Sequence, residues 1–201
     1  MKKLFLAASM LMLSVVSFAQ SEPGTLTFQP KIGLNVANFS EMDDSDPRVG
    51  LSAGAEFEYQ LTQLFSLSAG ALYSMQGFKA TDYTQGVKLD MTFKTDYINI
   101  PVLANIYLYK GLVFKFGLQP SFNVRSKYKA TALGTTISGD LSDYDVETNT
   151  FDLSIPFGLS YEYKNVVLDA RYNLGVTKSF EDEDAKNRVF QLTLGYKFRL
   201  K

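Results

Sequence analysis

The 201-residue sequence contains no cysteine, no histidine and no tryptophan. Without cysteine there is no disulfide framework, so stability must come from packing and hydrogen bonds. Without histidine, enzymes built on Ser–His–acid or Asp–His chemistry are excluded, and the common zinc ligands are missing as well. Catalysis by carboxylates alone remains formally open, but this composition predicts a protein that is not an enzyme and holds no cofactor.

The sequence also has little net charge and lacks long apolar runs after its N-terminus. Lysine and arginine (20) nearly balance aspartate and glutamate (21), and the formal net charge of −1 gives no indication of a nucleic-acid partner. After the N-terminus there is no run of about 18 apolar residues, so no transmembrane helix is predicted. Residues 1–19 have the basic start, apolar stretch and small-residue end of a cleavable signal peptide, with a membrane anchor as the alternative. One domain is expected over 20–201.

Apolar and polar residues alternate with period two through most of the remaining sequence, a pattern typical of strands with two different faces. No segment after the first nineteen residues shows a convincing helical period. Eight alternating segments span residues 26–39, 49–61, 65–75, 97–108, 112–124, 151–163, 166–176 and 189–200. The sequence is therefore predicted to be all-β.

The connections between these segments alternate in length. Three are only two or three residues long, at 62–64, 109–111 and 164–165, and the others are longer and polar. In an up-and-down meander this alternation places every short turn at one end, which is the plan of an outer-membrane barrel. We therefore predict an eight-stranded antiparallel up-and-down transmembrane β-barrel, whose first strand pairs with its last because lipid leaves no partner for an open edge.

Residue size on the two faces favours a membrane barrel over a soluble, lipocalin-like barrel, in which the apolar face would point inward. The apolar face is bulky, whereas the polar face is rich in small residues, as the narrow interior of eight strands requires. These small residues are Gly50, Ser52, Gly54, Ser66, Ser68, Gly70, Gly117, Ser121, Ser154, Gly158, Ser160, Gly175 and Gly195. An interfacial aromatic girdle is expected near the short turns, formed by Tyr59, Phe65, Tyr107, Phe114, Tyr161, Tyr163, Tyr196 and Phe198.

The stretch 97–108 shows both faces clearly. The face from Ile98 to Leu108 is expected to meet lipid, and Asn99 and Asn105 are expected to face the packed interior. Pro101 also lies on the interior face and lacks an N–H, so it removes one ladder hydrogen bond from a sheet that has no free edge. A local bulge or a water-satisfied carbonyl is therefore expected at Pro101.

Four stretches carry a resemblance to a known family: SFAQ at the end of the signal, YINIPVLANIY (97–107), LDARYNLGV (168–176) and NRVFQLTLGYKF (187–198). Together they resemble the outer-membrane β-barrel domain family of Bacteroidota, also described as porin-family or PorT-like. The resemblance implies a location in the outer membrane of a Gram-negative bacterium, with periplasmic termini. It also implies contact with outer-membrane lipid and insertion by the barrel assembly machinery.

The polar face carries a set of charged residues near the short turns. Counting from that end places nine at similar height in the barrel: Lys31, Glu56, Glu58, Lys115, Glu162, Asp169, Arg171, Lys197 and Arg199. Opposite charges in so narrow an interior favour a structural plug, in which paired side chains fill the lumen. A selectivity filter or gated ion path is the alternative.

The long connections are acidic, and hard oxygen ligands suit Ca²⁺ or Mg²⁺. The candidates for a divalent-cation site at the outer rim are Glu41, Asp43, Asp44, Asp46, Glu181, Asp182, Glu183 and Asp184. Solvated loop charge is the favoured interpretation, because the spacing does not match an EF-hand loop. In the connection 126–149, a flexible surface loop is favoured over a protruding ribbon that pairs with another protein's strand.

These features predict a non-enzymatic integral outer-membrane barrel with a plugged polar lumen. Its acidic external loops are expected to serve a structural role or to contact a protein partner that the sequence does not identify. One alternative is a narrow porin for ions or small solutes. Another, implied by the PorT-like resemblance alone, is an accessory component of a secretion apparatus.

Overall fold

The described part of the chain is built from antiparallel strands. The computed structural model describes residues 21–40, 45–84, 87–133, 135–140, 149–177 and 185–200, so the predicted signal peptide lies outside it. The strands are β1 (Leu26–Phe39), β2 (Ser45–Gln60), β3 (Phe65–Thr84), β4 (Val87–Asn99), β5 (Val102–Tyr109), β6 (Leu112–Ala132), β7 (Thr135–Asp140), β8 (Phe151–Tyr163), β9 (Val166–Gly175), β10 (Asn187–Tyr196) and β11 (Phe198–Arg199). Within these ranges, no helix has the length and hydropathy needed to cross a membrane.

The strands close into a ring of eight members. Six members are the single strands β1, β2, β3, β6, β8 and β9, and the other two are split, into β4 with β5 and β10 with β11. Each member pairs with the next along the chain, and β10 pairs back onto β1 from Lys31↔Gly195 to Phe39↔Asn187. The predicted antiparallel up-and-down order, with the first member paired to the last, is confirmed.

Three tight connections lie together at one end of the ring, joining β2 to β3, β5 to β6 and β8 to β9. In the second of these, Lys110 (φ 40°) and Gly111 (φ 87°) both have positive φ, as a type I′ hairpin turn requires. The start of β1 and the end of the ring lie at the same end, because Thr27 pairs with both Glu58 and Arg199.

The break between β4 and β5 falls at Pro101, but the bulge expected there is absent. The register of β4 with β3 continues unchanged into β5, and the register with β6 does too. The Pro101 carbonyl accepts a hydrogen bond from the Gly70 N–H at 3.1 Å, so this carbonyl is bonded to protein rather than left for water. The sheet therefore loses one donor at the proline and keeps its alignment.

Four strands continue past the ring at the end opposite the short turns. Residues 77–84 of β3, 87–96 of β4, 125–132 of β6 and all of β7 form one four-stranded extension, here called the ribbon. A bulge between Asp96 and Tyr97 marks its base. The flexible-loop interpretation is therefore wrong for the described residues 126–132 and 135–140, and the connection between the predicted third and fourth strands is largely strand as well.

A small apolar cluster anchors the ribbon to the mouth of the ring. Phe39 of β1, Phe78 of β3 and Ala185 before β10 are buried against one another. Phe78 also stacks on Phe93 of β4, with ring centroids 4.6 Å apart. Removing these rings from water favours one fixed position of the ribbon base relative to the ring.

Neighbouring strands approach closely on the interior side. A Cβ atom on Gly158 of β8 would lie 2.2 Å from the Ala170 carbonyl oxygen and 2.8 Å from the Arg171 Cα. A Cβ on Gly117 of β6 would lie 2.0 Å from the Val102 carbonyl oxygen. The small interior residues are thus required by the approach of the backbones as well as by the width of the lumen.

Candidate functional site

The two faces of the ring differ as the alternation predicts. Outward side chains are apolar and exposed, for example Ile32 at 61 % and Leu118 at 54 %. Inward side chains are buried and largely polar, including Asn99 and Asn105. Of the predicted girdle residues, those on the outward face are Tyr59, Phe65, Phe114, Tyr161, Tyr163, Tyr196 and Phe198.

Arg171 on β9 is the centre of the interior charge network. Its guanidinium donates two hydrogen bonds to the Glu56 carboxylate (2.7 and 2.9 Å) and two to the Asp169 carboxylate (2.8 and 2.6 Å). Lys31 pairs with Glu56 at 2.8 Å, and Lys115 pairs with Asp169 at 3.1 Å. All five side chains are at most 2 % exposed, so the pairs are removed from water.

A second group lies one step nearer the short turns. The Lys197 ammonium pairs with Glu58 at 2.9 Å and also with Glu162. The Tyr107 hydroxyl donates to Glu58 and accepts a hydrogen bond from Lys197 at 3.0 Å. Tyr107 is therefore an interior residue whose hydroxyl forms hydrogen bonds with buried charged groups, and its predicted place in the interfacial girdle is wrong.

Together the two groups form a balanced set of eight charges, here called the charge network. Its bases are Lys31, Lys115, Arg171 and Lys197, and its acids are Glu56, Glu58, Glu162 and Asp169. Because a buried charge is costly unless it is paired, this balance makes burial of the whole set feasible. Arg199, the ninth predicted member, does not join it. Arg199 is exposed on β11, at the end of the ring.

Near the base of the ribbon lies a second buried ion pair that the sequence did not reveal. Arg48 lies 3.8 Å from Asp96 and also donates to the Gln76 carbonyl oxygen. The Tyr73 hydroxyl donates to Asp96 at 2.7 Å. Arg48 and Asp96 each lie one residue outside an alternating segment, so the period-two pattern assigned neither to a face.

The interior between these two charged levels is polar but incompletely bonded. A cavity of about 10 Å³ is lined in part by Gln76, Gln119, Asn173 and Asn187. Both side-chain amide atoms of Asn173, and the Asn187 Oδ1, lack a hydrogen-bond partner among the described residues. A cavity of this size has room for about one water molecule, so it suits water rather than a solute.

The predicted cation site at the rim can be placed only in part. Glu41, Asp43, Asp44, Glu181, Asp182, Glu183 and Asp184 lie outside the described residues. Asp46 is exposed on β2, opposite Lys79 of β3. Across the ranges that the structure describes, no group of acidic side chains has the arrangement of a metal site. Cation binding at the rim stays a prediction.

The chain is similar to several solved structures. Ail, the attachment invasion locus protein of Yersinia pestis, has a TM-score of 0.53 and 17 % identity, over 88 % of this chain and 99 % of that one. Ail in complex with the heparin analogue sucrose octasulfate has a TM-score of 0.52 and 16 % identity, over 87 % of this chain and 99 % of that one. Neisserial surface protein A has a TM-score of 0.49 and 15 % identity, over 86 % of this chain and 97 % of that one. At such identities the likeness concerns the fold alone.

The sequence also matches a family model, described as outer membrane protein beta-barrel domain, over residues 18–181. No curated protein matches it. The matched residues include β1 through β9, so they cover most of the chain and most of the ring. The chain therefore belongs to the outer membrane protein β-barrel domain family, and its closed ring is the barrel of a protein of the Gram-negative outer membrane.

Proposed function

We propose that the protein is a non-enzymatic barrel with a closed lumen, which presents its ribbon at the cell surface as a contact surface for another protein. The charge network carries this proposal. Its side chains converge from β1, β2, β6, β8, β9 and the junction of β10 with β11, and they pair with one another while almost fully buried. An eight-stranded interior is only just wide enough for side chains, so such a network leaves no wide aqueous path.

The orientation follows from the two unlike ends of the barrel. Outer-membrane barrels have short periplasmic turns and longer external extensions. The three tight connections therefore face the periplasm, and the ribbon faces the exterior. Since the start of β1 and the end of the ring lie at the short-turn end, both termini are periplasmic.

The edge of the ribbon supports the interaction role. β7 pairs with β6 on one side, and no second strand of the described chain pairs with it. An open strand edge can accept a strand from another protein by β-augmentation. Affinity purification from native outer membranes would identify such a partner. The secretion-apparatus role rests on the PorT-like resemblance alone and stays a prediction.

Planar-bilayer recording of the refolded protein tests the closed lumen. The native barrel is expected to show no steady openings. The double variant Glu56→Ala/Arg171→Ala removes a matched pair, keeps the charge balance and frees space, so it is expected to conduct. Conduction by the variant also shows that the protein inserts. Steady, reproducible openings of the native barrel would contradict the plug and favour a narrow porin for ions or small solutes.

A further inference from the structure

The outward face of the ribbon continues the lipid-facing surface of the barrel. On β6, Phe122 and Val124 point outward and are 41 % and 49 % exposed. Past the bulge at the base of the ribbon, the paired positions on that face are Arg125, opposite Asp96 of β4, and then Lys127 and Lys129. On β3 the same face runs from Tyr73 through Met75 to Lys79. The surface thus changes from apolar to basic within a few residues.

Four lysines form a basic band in the second and third outward rows of the ribbon, just beyond the row of Met75, Asp96 and Arg125: Lys79, Lys94, Lys127 and Lys129. Lys94 of β4 stands directly opposite Lys127 of β6. In the next row, Thr92 is flanked by Lys79 on one side and Lys129 on the other. Like charges directly opposite one another destabilise a sheet, so this arrangement favours an anion between them.

The acids on the same face neutralise little of the basic band. Asp90 pairs with Lys88, and Asp96 is engaged by Arg48 and Tyr73. Asp140 pairs with Lys127 at 3.3 Å, and both side chains are substantially exposed. Asp46 lies opposite Lys79 in the register, but the two form no ion pair. Among described residues, the other three lysines of the band have no ion-pair partner, so their charge is available to a ligand.

We propose that the basic band binds the phosphate groups of glycolipid in the outer leaflet beside the barrel. Lipid phosphates lie just above the apolar layer, at the height where the outward face changes from Val124 to Lys127. Clustered lysines next to a membrane-spanning surface attract anionic head groups. A soluble polyanion would not require this continuity with the lipid-facing belt. The inference rests on the proposed orientation, with the ribbon outside.

Titration of the purified, detergent-folded barrel with lipid A carrying two phosphates, and with the same lipid after dephosphorylation, tests the inference. The native barrel is expected to bind the phosphorylated form more tightly. Lys94→Gln/Lys129→Gln should weaken that binding on the order of 30-fold, because two charges near the head groups are lost. The matched control Lys110→Gln/Lys164→Gln changes two lysines at the short turns and should bind as the native protein does.

Equal binding of the two lipids, or unchanged affinity in Lys94→Gln/Lys129→Gln, would overturn the inference. Binding of a heparin oligosaccharide at the basic band without binding of lipid A would also overturn it and assign a soluble sulfated polymer instead. Orientation is tested separately with Thr136→Cys on β7, the only thiol in a chain without cysteine. A membrane-impermeant maleimide should label it on intact cells. Absent labelling contradicts the orientation, whereas the lipid titration in detergent tests the band itself.

Discussion

At the scale of the residue, Arg171 shows how much a buried charge depends on its partners. Its guanidinium makes four hydrogen bonds, two to Glu56 and two to Asp169. Arg171→Ala leaves both carboxylates buried, with only lysine partners, and breaking a buried pair in this way costs about 3–5 kcal/mol. We expect the detergent-folded variant to melt at a lower temperature than the native barrel, as followed by circular dichroism.

A double variant separates the pairing from the size of the side chain. Glu56→Leu/Arg171→Met removes a matched pair and fills the space with apolar groups, so its loss of stability should be smaller than the sum of the two single variants. An Arg171→Ala barrel that melts at the native temperature would contradict the structural plug.

Sequence alternation assigns a face to each of these charges, but not a partner. The structure places eight of the nine predicted charges in the interior. The prediction succeeds for these eight because the face of a residue and its distance from a turn can both be counted along the chain. Arg171 and Glu56 are 115 positions apart, and no local pattern encodes the register between such distant strands. Tyr107 was misplaced because a tyrosine near a strand end suits either an interface or a buried hydrogen bond.

At the scale of the element, the strands of the ribbon are not predicted, although their sequence contains an alternating pattern. Leu89, Met91 and Phe93 alternate along β4, and Phe78 and Ala80 do so along β3. The intervening lysines, threonines and aspartates are typical of loops, so the segment read as a polar connection. Outside the membrane a strand can have a polar outward face. The apolar–polar alternation that identifies the lipid-facing segments therefore does not identify the strands of the ribbon.

Close approach of β8 and β9 gives a prediction at the same scale. Gly158→Ala places a Cβ against the Ala170 carbonyl oxygen, and forcing extra volume into a packed site costs about 1–3 kcal/mol. Ser160→Ala, two residues along on the same face, is the matched control. The Ser160 hydroxyl has no hydrogen-bond partner among the described residues, so its loss should stay within about 0.5 kcal/mol. Urea unfolding in lipid vesicles measures the stability of both variants, and equal unfolding midpoints for the two would contradict the close approach.

At the scale of the whole molecule, the chain reverses the arrangement of a soluble protein. In the ring, most apolar side chains face outward and the charge network is inside, without a disulfide to hold the strands. The architecture was predictable because the membrane restricts it: in lipid each backbone group needs a partner, so alternating strands with short turns must close. The details at the external end were less predictable, because water imposes no comparable rule there.

Ring closure should therefore control folding of the whole chain. Deleting 187–200 removes β10 and β11 and leaves β1 and β9 with unpaired edges, which lipid cannot satisfy. We expect this variant not to reach the compact, heat-modifiable form on an electrophoresis gel, and a synthetic peptide of residues 185–200 added during refolding should restore it. The control replaces residues 81–90 by Asn-Gly, which shortens the ribbon at the pair Ala80↔Met91 and leaves the ring intact. A folded seven-member barrel from the deletion variant would contradict the requirement for closure.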